Sequence, residues 1–507
     1  MDSRRRPERW LTVQALLFAA VALALLGGAL LHMDTPSREA LILDGICRQL
    51  AANTTEGRQA LVSSAWCPPL PVLMRLPFAL ALPVKELPVA SLIVSALFGA
   101  GCVSLLLRVL DRWGVGRPRY LFAAAMGLDP AFIGEALRGT SGTAALFFIL
   151  LSAYGLSGWV SSRNLRSLSY FAFGSALLLL TRFESAPWLA AGFLLLAGDL
   201  VVRPALRGQR QAVLILALLP TVYGFGLWVL MNWLIMGDAL YFLRSLASPV
   251  WGAANSLSPE PFGLTPLHLA AAGVCVTCAL AGAGLRVRPV FHLGIMGAGL
   301  LAAAFVLHAR GWFWNASPLL TALPVLASMT LAHLAVGAQR RPIRLPWVPA
   351  VLPVTLLVWS LTLHGSLVAA DGELGGEEDA RAAGLDGSIA RAVVSRSEFS
   401  TVFMCGYEAF ALQGTPGAKV LLHSLDFNFN KAAADYPGHV LYLLVHSPIG
   451  RSGADSVHWK FPGIYDGGGP WTLHAGAFGP WRLYEIVQPP REEARTYRSD
   501  AAAATPK

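Results

Sequence analysis

The feature that most constrains this chain is a succession of uninterrupted apolar runs, each near the length needed to cross a bilayer. A helix rises 1.5 Å per residue, so a hydrocarbon core of about 30 Å takes roughly 20 apolar residues. Such runs occupy residues 10–31, 87–110, 119–137, 143–161, 168–184, 186–202, 211–234, 265–285, 289–308, 316–337 and 345–367. They amount to about eleven spans by the window rule. Composition agrees: 55% of residues are hydrophobic and only 14% charged, which excludes an ordinary soluble domain. The expected fold class is therefore an all-α polytopic membrane domain.

The chain carries 39 Lys+Arg against 30 Asp+Glu, a balance that in a soluble protein would suggest nucleic acid. Here the arginines sit in short clusters between apolar runs: Arg4, Arg5, Arg6 and Arg9; Arg112, Arg117 and Arg119; Arg163 and Arg166; Arg203, Arg207 and Arg210; Arg286 and Arg288; Arg340, Arg341 and Arg344. That is membrane topology, and it excludes a polynucleotide as the partner. All these clusters fall on one side of the spans. They place the N-terminus in the cytoplasm of a multi-pass cell-membrane protein, the loop 32–86 outside, and everything after residue 368 outside as well. The first run has no clear small-residue cleavage site and reads as a retained span. Pro68–Pro83 is too short and proline-rich to cross and reads as a helix lying at the interface.

Beyond residue 370 the character changes. The acidic, Gly-rich Asp371–Arg381 reads as a linker, and Lys419–Phe427, His439–His446 and Trp481–Val487 have the alternation of strands. The organisation expected is a transmembrane domain over 1–369, a small extracytoplasmic α/β domain over 370–490 and a disordered tail over 491–507. Cys47 and Cys67 share the first outer loop, where an oxidising compartment permits a disulfide between them. The Cys275–Cys278 pair lies inside a span and reads as small packing residues.

Four segments place charge where lipid meets water. The first outer loop carries Asp34 and Asp44. T-R-F-E-S, Thr181–Ser185, sets Arg182 and Glu184 at a junction between two runs, where charge is costly unless paired or working. G-D-A-L-Y-F-L-R, Gly237–Arg244, and H-A-R-G-W-F-W-N, His308–Asn315, bring Asp238, Tyr241, Arg244, Arg310, Trp312 and Trp314 to the same face. A plainer reading also fits: Asp34 as a helix cap, Asp44 as a solvated acid, and the aromatics as interfacial anchors. The chemistry such a set suits is sugar transfer from a lipid-linked phosphate. A carboxylate deprotonates the acceptor hydroxyl, and planar guanidinium forks hold the leaving phosphate.

The order of these features resembles the GT-C class of membrane glycosyltransferases. It is most similar to the family 39-like group that includes protein O-mannosyltransferases and the lipid A aminoarabinose transferases. Asp44 followed by Pro68-Pro69-Leu70 resembles that group's first-loop acid and return element. T-R-F-E resembles its T-R-[YF]-E, G-D-A-L-Y-F its G-D-P-x-x-F, and Trp481–Val487 the end of its outer domain. The resemblance implies a polyprenyl-phosphate sugar as donor and an inverting transfer on the outer face to a protein, glycan or lipid acceptor. It also implies Asp44 as base with Asp34 as alternate. Where the group carries Asp-Glu this chain has Asp44-Gly45, so Asp34 or Glu39 would supply the second acid; Glu135 would replace the acid absent from Arg138–Gly142. The donor phosphate falls to Arg182 and Arg310, with Arg138 and Arg244 in reserve, and the sugar pocket to Glu184, Asp238, Tyr241, Trp312 and Trp314. No cofactor is called for; no D-x-D marks a metal site in an outer loop, although a divalent metal is compatible with the chemistry. Two rival readings use the same residues: a flippase for a lipid-linked sugar, with Asp129 and Glu135 as mid-helix charges, and a non-catalytic scaffold of the same fold.

Overall fold

The computed structural model describes residues 5–31, 37–53, 55–65, 67–81, 89–203, 208–245, 266–284, 288–309, 322, 325–327, 329–330, 387–396, 401–405, 421–423, 440–447, 457–458, 463–469 and 472–487. Helices α1 (Arg5–Leu31), α5 (Val89–Arg112), α8 (Gly142–Ser162), α9 (Leu165–Thr181), α10 (Ala186–Val202), α11 (Arg210–Met236), α12 (Pro266–Gly284) and α13 (Arg288–Ala309) occupy the apolar runs. Among the described residues, five segments are long and apolar enough to cross a membrane: Gln14–Leu31, Val89–Arg112, Gly142–Ser162, Phe183–Val202 and Arg210–Met236. The expected spans 316–337 and 345–367, like the linker and the tail, lie largely or wholly outside the described residues.

The run 119–137 departs from expectation. It is two short helices, α6 (Arg119–Gly127) and α7 (Pro130–Leu137), broken at Leu128-Asp129. The break is local chemistry. Pro130 cannot donate to a continuing helix, and Asp129 Oδ1 instead accepts the Phe132 N–H at 3.1 Å, capping a new one.

The segment after α1 is more ordered than a loop. It holds α2 (Arg38–Ala51), α3 (Thr55–Val62) and α4 (Pro69–Ala81), the last where a short interfacial helix was expected. Ser37 caps α2 by accepting the Ala40 N–H at 3.0 Å. Asn53 takes the left-handed turn between α2 and α3, which its side chain tolerates better than most. The apolar face of α2 (Leu43, Ile46, Cys47) packs with Ala60, Val62 and Val72 against Trp228 of α11 and Phe242. Trp228 and Phe242 stack at 4.3 Å between ring centroids. Polar ties hold the same junction: the Val62 carbonyl accepts from Trp228 Nε1 at 3.1 Å and Asn232 Nδ2 at 2.9 Å.

The membrane core forms where small residues let helices approach. α8 and α9 pack most intimately, and a Cβ at Gly155 of α8 would overlap the Phe171 amide and lie 2.7 Å from the Ser167 carbonyl. Without water to expel, close van der Waals contact of this kind drives helix association in lipid. Cys275 and Cys278 are buried packing residues, as expected; Cys275 faces Gly294 and Gly297 of α13.

The C-terminal part contains helix α14 (Gly387–Ser395), the short α15 (Ile464–Gly467) and a five-stranded mixed sheet in the order β2-β1-β3-β5-β4. Strands β2 (Leu421–His423), β3 (Val440–His446) and β5 (Trp481–Ile486) fall where alternation placed them; β1 (Thr401–Cys405) and β4 (Thr472–Phe478) were not anticipated. β1 pairs in parallel with β2 and β3, while β5 runs antiparallel between β3 and β4. Ile389 and Val393 of α14 join Phe403, Leu444, Trp481 and Leu483 in the core beneath the sheet.

Gly155→Ala should lower stability by about 1–3 kcal/mol, because the backbone of α9 leaves no room for the methyl group. Gly226→Ala, where a Cβ meets nothing within 4 Å, should be near neutral. Thermal unfolding of both purified variants in detergent checks the contrast.

Candidate functional site

Two linked charged groups meet where α2, α4 and α5 join the α7–α8 turn and the α9–α10 junction. The first is built on Arg75. It sits in the otherwise apolar Pro69–Ala81 and is fully buried, so each donor requires an acceptor. Nε donates to Ser91 Oγ at 2.7 Å, Nη1 to the Pro71 carbonyl at 2.7 Å and Nη2 to the Gly139 carbonyl at 3.0 Å. Ser91 Oγ donates to Asp44 Oδ1 at 2.5 Å, and the Ser91 N–H donates to Oδ2 at 3.3 Å. Arg75, Ser91 and Asp44 thus form a polarised chain in which each member strengthens the next.

Gly139 makes this approach possible. Its φ of +71° is left-handed, and a Cβ there would lie 3.1–3.2 Å from Ser91, Ala40 and Leu92. A larger residue would be strained in backbone and would crowd α2 and α5 together.

The second group is built on Arg182. Thr181 ends α9, and Arg182 takes an extended conformation (φ −145°, ψ 108°) before the 3-10 turn Phe183–Ser185 starts the next span. That break turns Arg182 and Glu184 inward, and both are buried. Arg182 Nη1 lies 3.4 Å from Glu39 Oε2 and Nη2 3.3 Å from Glu184 Oε1. Ser141 joins them: its Oγ and N–H donate to Glu39 Oε1, the N–H at 3.0 Å, while Arg182 Nη1 reaches Ser141 Oγ at 3.3 Å. Glu135 accepts the Thr140 hydroxyl and contributes to the field at Arg182. Arg75 feels both Asp44 and Glu39, so the two groups share one electrostatic environment.

Burial raises the Asp44 carboxyl above the ordinary carboxylate range, against the opposing pull of Arg75 and the Ser91 hydrogen bonds. The native state therefore holds the Asp44 proton to higher pH than the unfolded chain does. This group's contribution to stability falls as pH rises from the ordinary carboxylate range through its raised value.

The structure unites Asp44, Arg182, Glu184, Glu39 and Glu135. Asp44 is not the open loop acid that the sequence suggested: it lies mid-helix with 4% exposure, because Ser37 nucleates α2 around it. Arg138 is exposed, and its carbonyl accepts the Ser37 N–H at 3.2 Å. Asp238 accepts the Leu240 N–H at 3.1 Å and closes the turn after α11. Tyr241 packs into the apolar cluster beside α2, and Arg244 lies in the same 3-10 turn, Tyr241–Ser245. Asp34, Arg310, Trp312 and Trp314 lie outside the described residues. Of the two acids named for the flippase reading, Asp129 caps α7, and Glu135 lies buried within α7, where it accepts the Thr140 hydroxyl. Cys47 and Cys67 are free, not bridged. Cys47 Sγ donates to the Val72 carbonyl at 3.3 Å, and burial pushes its thiol up to about 12. No group of three or more His, Cys, Asp or Glu suited to a metal ion occurs among the described residues.

Arg75, Ser91 and Ser141 are the participants that sequence reasoning missed. Arg75 carried a usable signal, a single guanidinium among twelve apolar or proline residues. The serines carried none.

Asp44→Ala should destabilise the protein by about 3–5 kcal/mol, since it leaves a buried guanidinium without its counter-charge. The double variant Asp44→Leu/Arg75→Met should recover part of that loss. Chemical denaturation followed by intrinsic tryptophan fluorescence tests both.

No protein-family model matches the chain, and no curated protein matches it. Among solved structures it is similar to ArnT from Cupriavidus metallidurans bound to undecaprenyl phosphate, with a TM-score of 0.53 and 14% identity over 94% of this chain and 98% of that one. The apo state of the same protein gives a TM-score of 0.51 with the same identity and coverage. The chain therefore shares the fold of ArnT from Cupriavidus metallidurans, with helices long and apolar enough to cross a membrane and a small C-terminal sheet.

Proposed function

We propose that this chain is an integral membrane glycosyltransferase of the plasma membrane, moving one sugar from a polyprenyl-phosphate carrier to an extracytoplasmic hydroxyl. The observation that carries the reading is the convergence of Glu39, Asp44, Arg75, Arg182 and Glu184 at one end of the membrane helices. Support comes from the fold shared with a protein crystallised with a polyprenyl phosphate. The acceptor oxygen attacks the anomeric carbon as its proton passes to a carboxylate. The carbon–oxygen bond to phosphate breaks with inversion, and the polyprenyl phosphate departs with the electron pair.

The base is one of the two acids of α2. Asp44 is the sequence-based choice, but Ser91 occupies both its oxygens and almost none of it is exposed. Glu39 keeps 11% of its side chain exposed, more than Asp44, and its Oε2 faces Arg182 across 3.4 Å. Burial and access favour Glu39 as the base and give Asp44 the task of fixing Arg75. A donor phosphate arriving at Arg182 competes with Glu39 for the same guanidinium. Phosphate binding then loosens the ion pair and frees a basic carboxylate beside the sugar. Because Arg182 is already shared by two acids, Arg310 supplies further positive charge, with Arg138 and Arg244 in reserve. Glu184, Asp238, Tyr241, Trp312 and Trp314 complete the sugar pocket, with Asp34 an alternate acid.

Glu39→Gln should lower transfer by about 10²–10⁴-fold, the usual range for losing a general base, while the protein stays folded and binds the donor lipid at least as tightly as the wild type, because the carboxylate that competes for Arg182 is gone. Turnover in purified protein supplied with polyprenyl-phosphate sugars decides it; unchanged turnover removes Glu39 from the mechanism. Should Asp44→Asn alone abolish transfer without loss of stability, Asp44 is the base. The acid limb of kcat/KM would then lie above the ordinary carboxylate range, as its burial requires.

A further inference from the structure

A second charged cluster, at the other end of the same helix, has no part in this chemistry. The segment Phe183–Val202 is 20 residues long. Glu184 stands at its start and Asp199 in its last turn, so about 22 Å of helix rise separates the two clusters, most of the roughly 30 Å hydrocarbon core. Asp199 is buried, at a helix C-terminus where the dipole disfavours a carboxylate. Three guanidiniums from three places surround it. Arg163 Nη1 is 2.7 Å from Oδ2, Arg203 Nε 3.0 Å from Oδ1, and Arg288 Nη1 3.3 Å from Oδ1. Buried His292 lies against them, its Nδ1 2.7 Å from the Arg288 carbonyl.

One carboxylate balances one of these three cations. Two positive charges are left over beside the boundary of a spanning helix. The surplus is held in place, not dispersed: Arg163 adopts a left-handed conformation (φ 58°) to end α8, and its guanidinium lies 5.3 Å over the Trp159 ring. A non-glycine residue accepts that backbone only at a cost. Arg163 Nη2 is moreover buried with no hydrogen-bond acceptor, an unsatisfied cationic donor inside the cluster. Arg288 keeps 44% of its side chain exposed and opens α13 at its N-terminus, where the helix dipole adds to the positive field.

We propose that Arg163, Arg203 and Arg288 form a binding site for the phosphate of an anionic lipid headgroup. An oxyanion fits the unsatisfied Arg163 donor and the surplus charge, and a guanidinium fork suits phosphate geometry. A lipid is the source because the cluster caps membrane helices at the depth where headgroups lie. Basic pockets between such helices retain acidic lipids. The arginine-rich ends that mark the cytoplasmic side put this site in the inner leaflet.

The test is thermal unfolding of the full chain in detergent, with three additions: phosphatidylcholine alone, equal parts phosphatidylcholine and phosphatidylglycerol, and inorganic phosphate. The wild type should gain Tm with the phosphatidylglycerol mixture over phosphatidylcholine alone. Arg288→Gln should lose at least half of that gain, and Arg203→Gln, a second variant should the first misfold, should do the same. An equal gain in both variants, or none in the wild type, overturns the site. Inorganic phosphate reproducing the gain on its own overturns the lipid assignment.

Discussion

A single buried guanidinium organises one end of this protein's membrane helices. Arg75 lies in a helix that offers it nothing but apolar side chains, and a charge removed from water must be met by acceptors and a counter-charge or the fold fails. Its three partners come from α5, from its own helix and from the α7–α8 turn, and its counter-charge from α2 through Ser91. Satisfying one side chain therefore draws four chain segments to one point. The Glu39–Ser141–Arg182–Glu184 group assembles directly beside it.

The same physics operates at the opposite membrane boundary with a different outcome. Around Arg75 and Arg182 the acids Asp44, Glu39, Glu184 and Glu135 match or exceed the cations, which leaves carboxylates available for proton transfer. Around Asp199 the cations outnumber the acid, leaving donors that seek an anion. Two clusters at the two ends of one helix thus carry opposite surpluses. The proposed sugar transfer draws on the first surplus and the proposed lipid site on the second.

Much of the architecture was legible in the chain because lipid simplifies the problem. Apolar runs of span length have no alternative to helix. T-R-F-E drew attention correctly, since charge at a span junction is too costly to be idle, and Arg182 and Glu184 are indeed paired there. Asp44 was found but mislocated. A pattern that marks Asp44 as a loop acid does not reveal that Ser37 starts a helix around it, or that α5 closes over it. The Cys47–Cys67 bridge failed for a similar reason: sharing a loop does not bring two sulfurs within bonding reach once α2 and the α4 approach become separate, packed elements. The run 119–137 showed apolar length but not the Asp129-Pro130 cap that divides it.

The sequence alone determined that the chain is a multi-span membrane protein, which stretches hold its costly charges, and where much of the C-terminal sheet runs. Each of these follows from local composition and periodicity. Tertiary structure alone decided that Arg75 answers to Asp44 through Ser91, that Glu39 rather than a neighbour of Asp44 meets Arg182, and that Arg163 and Arg288 join Arg203 at Asp199. The Asp44–Ser91 and Glu39–Arg182 contacts join residues 47 and 143 positions apart. They are set by the requirement that every buried charge find its partner in space, which no local pattern records.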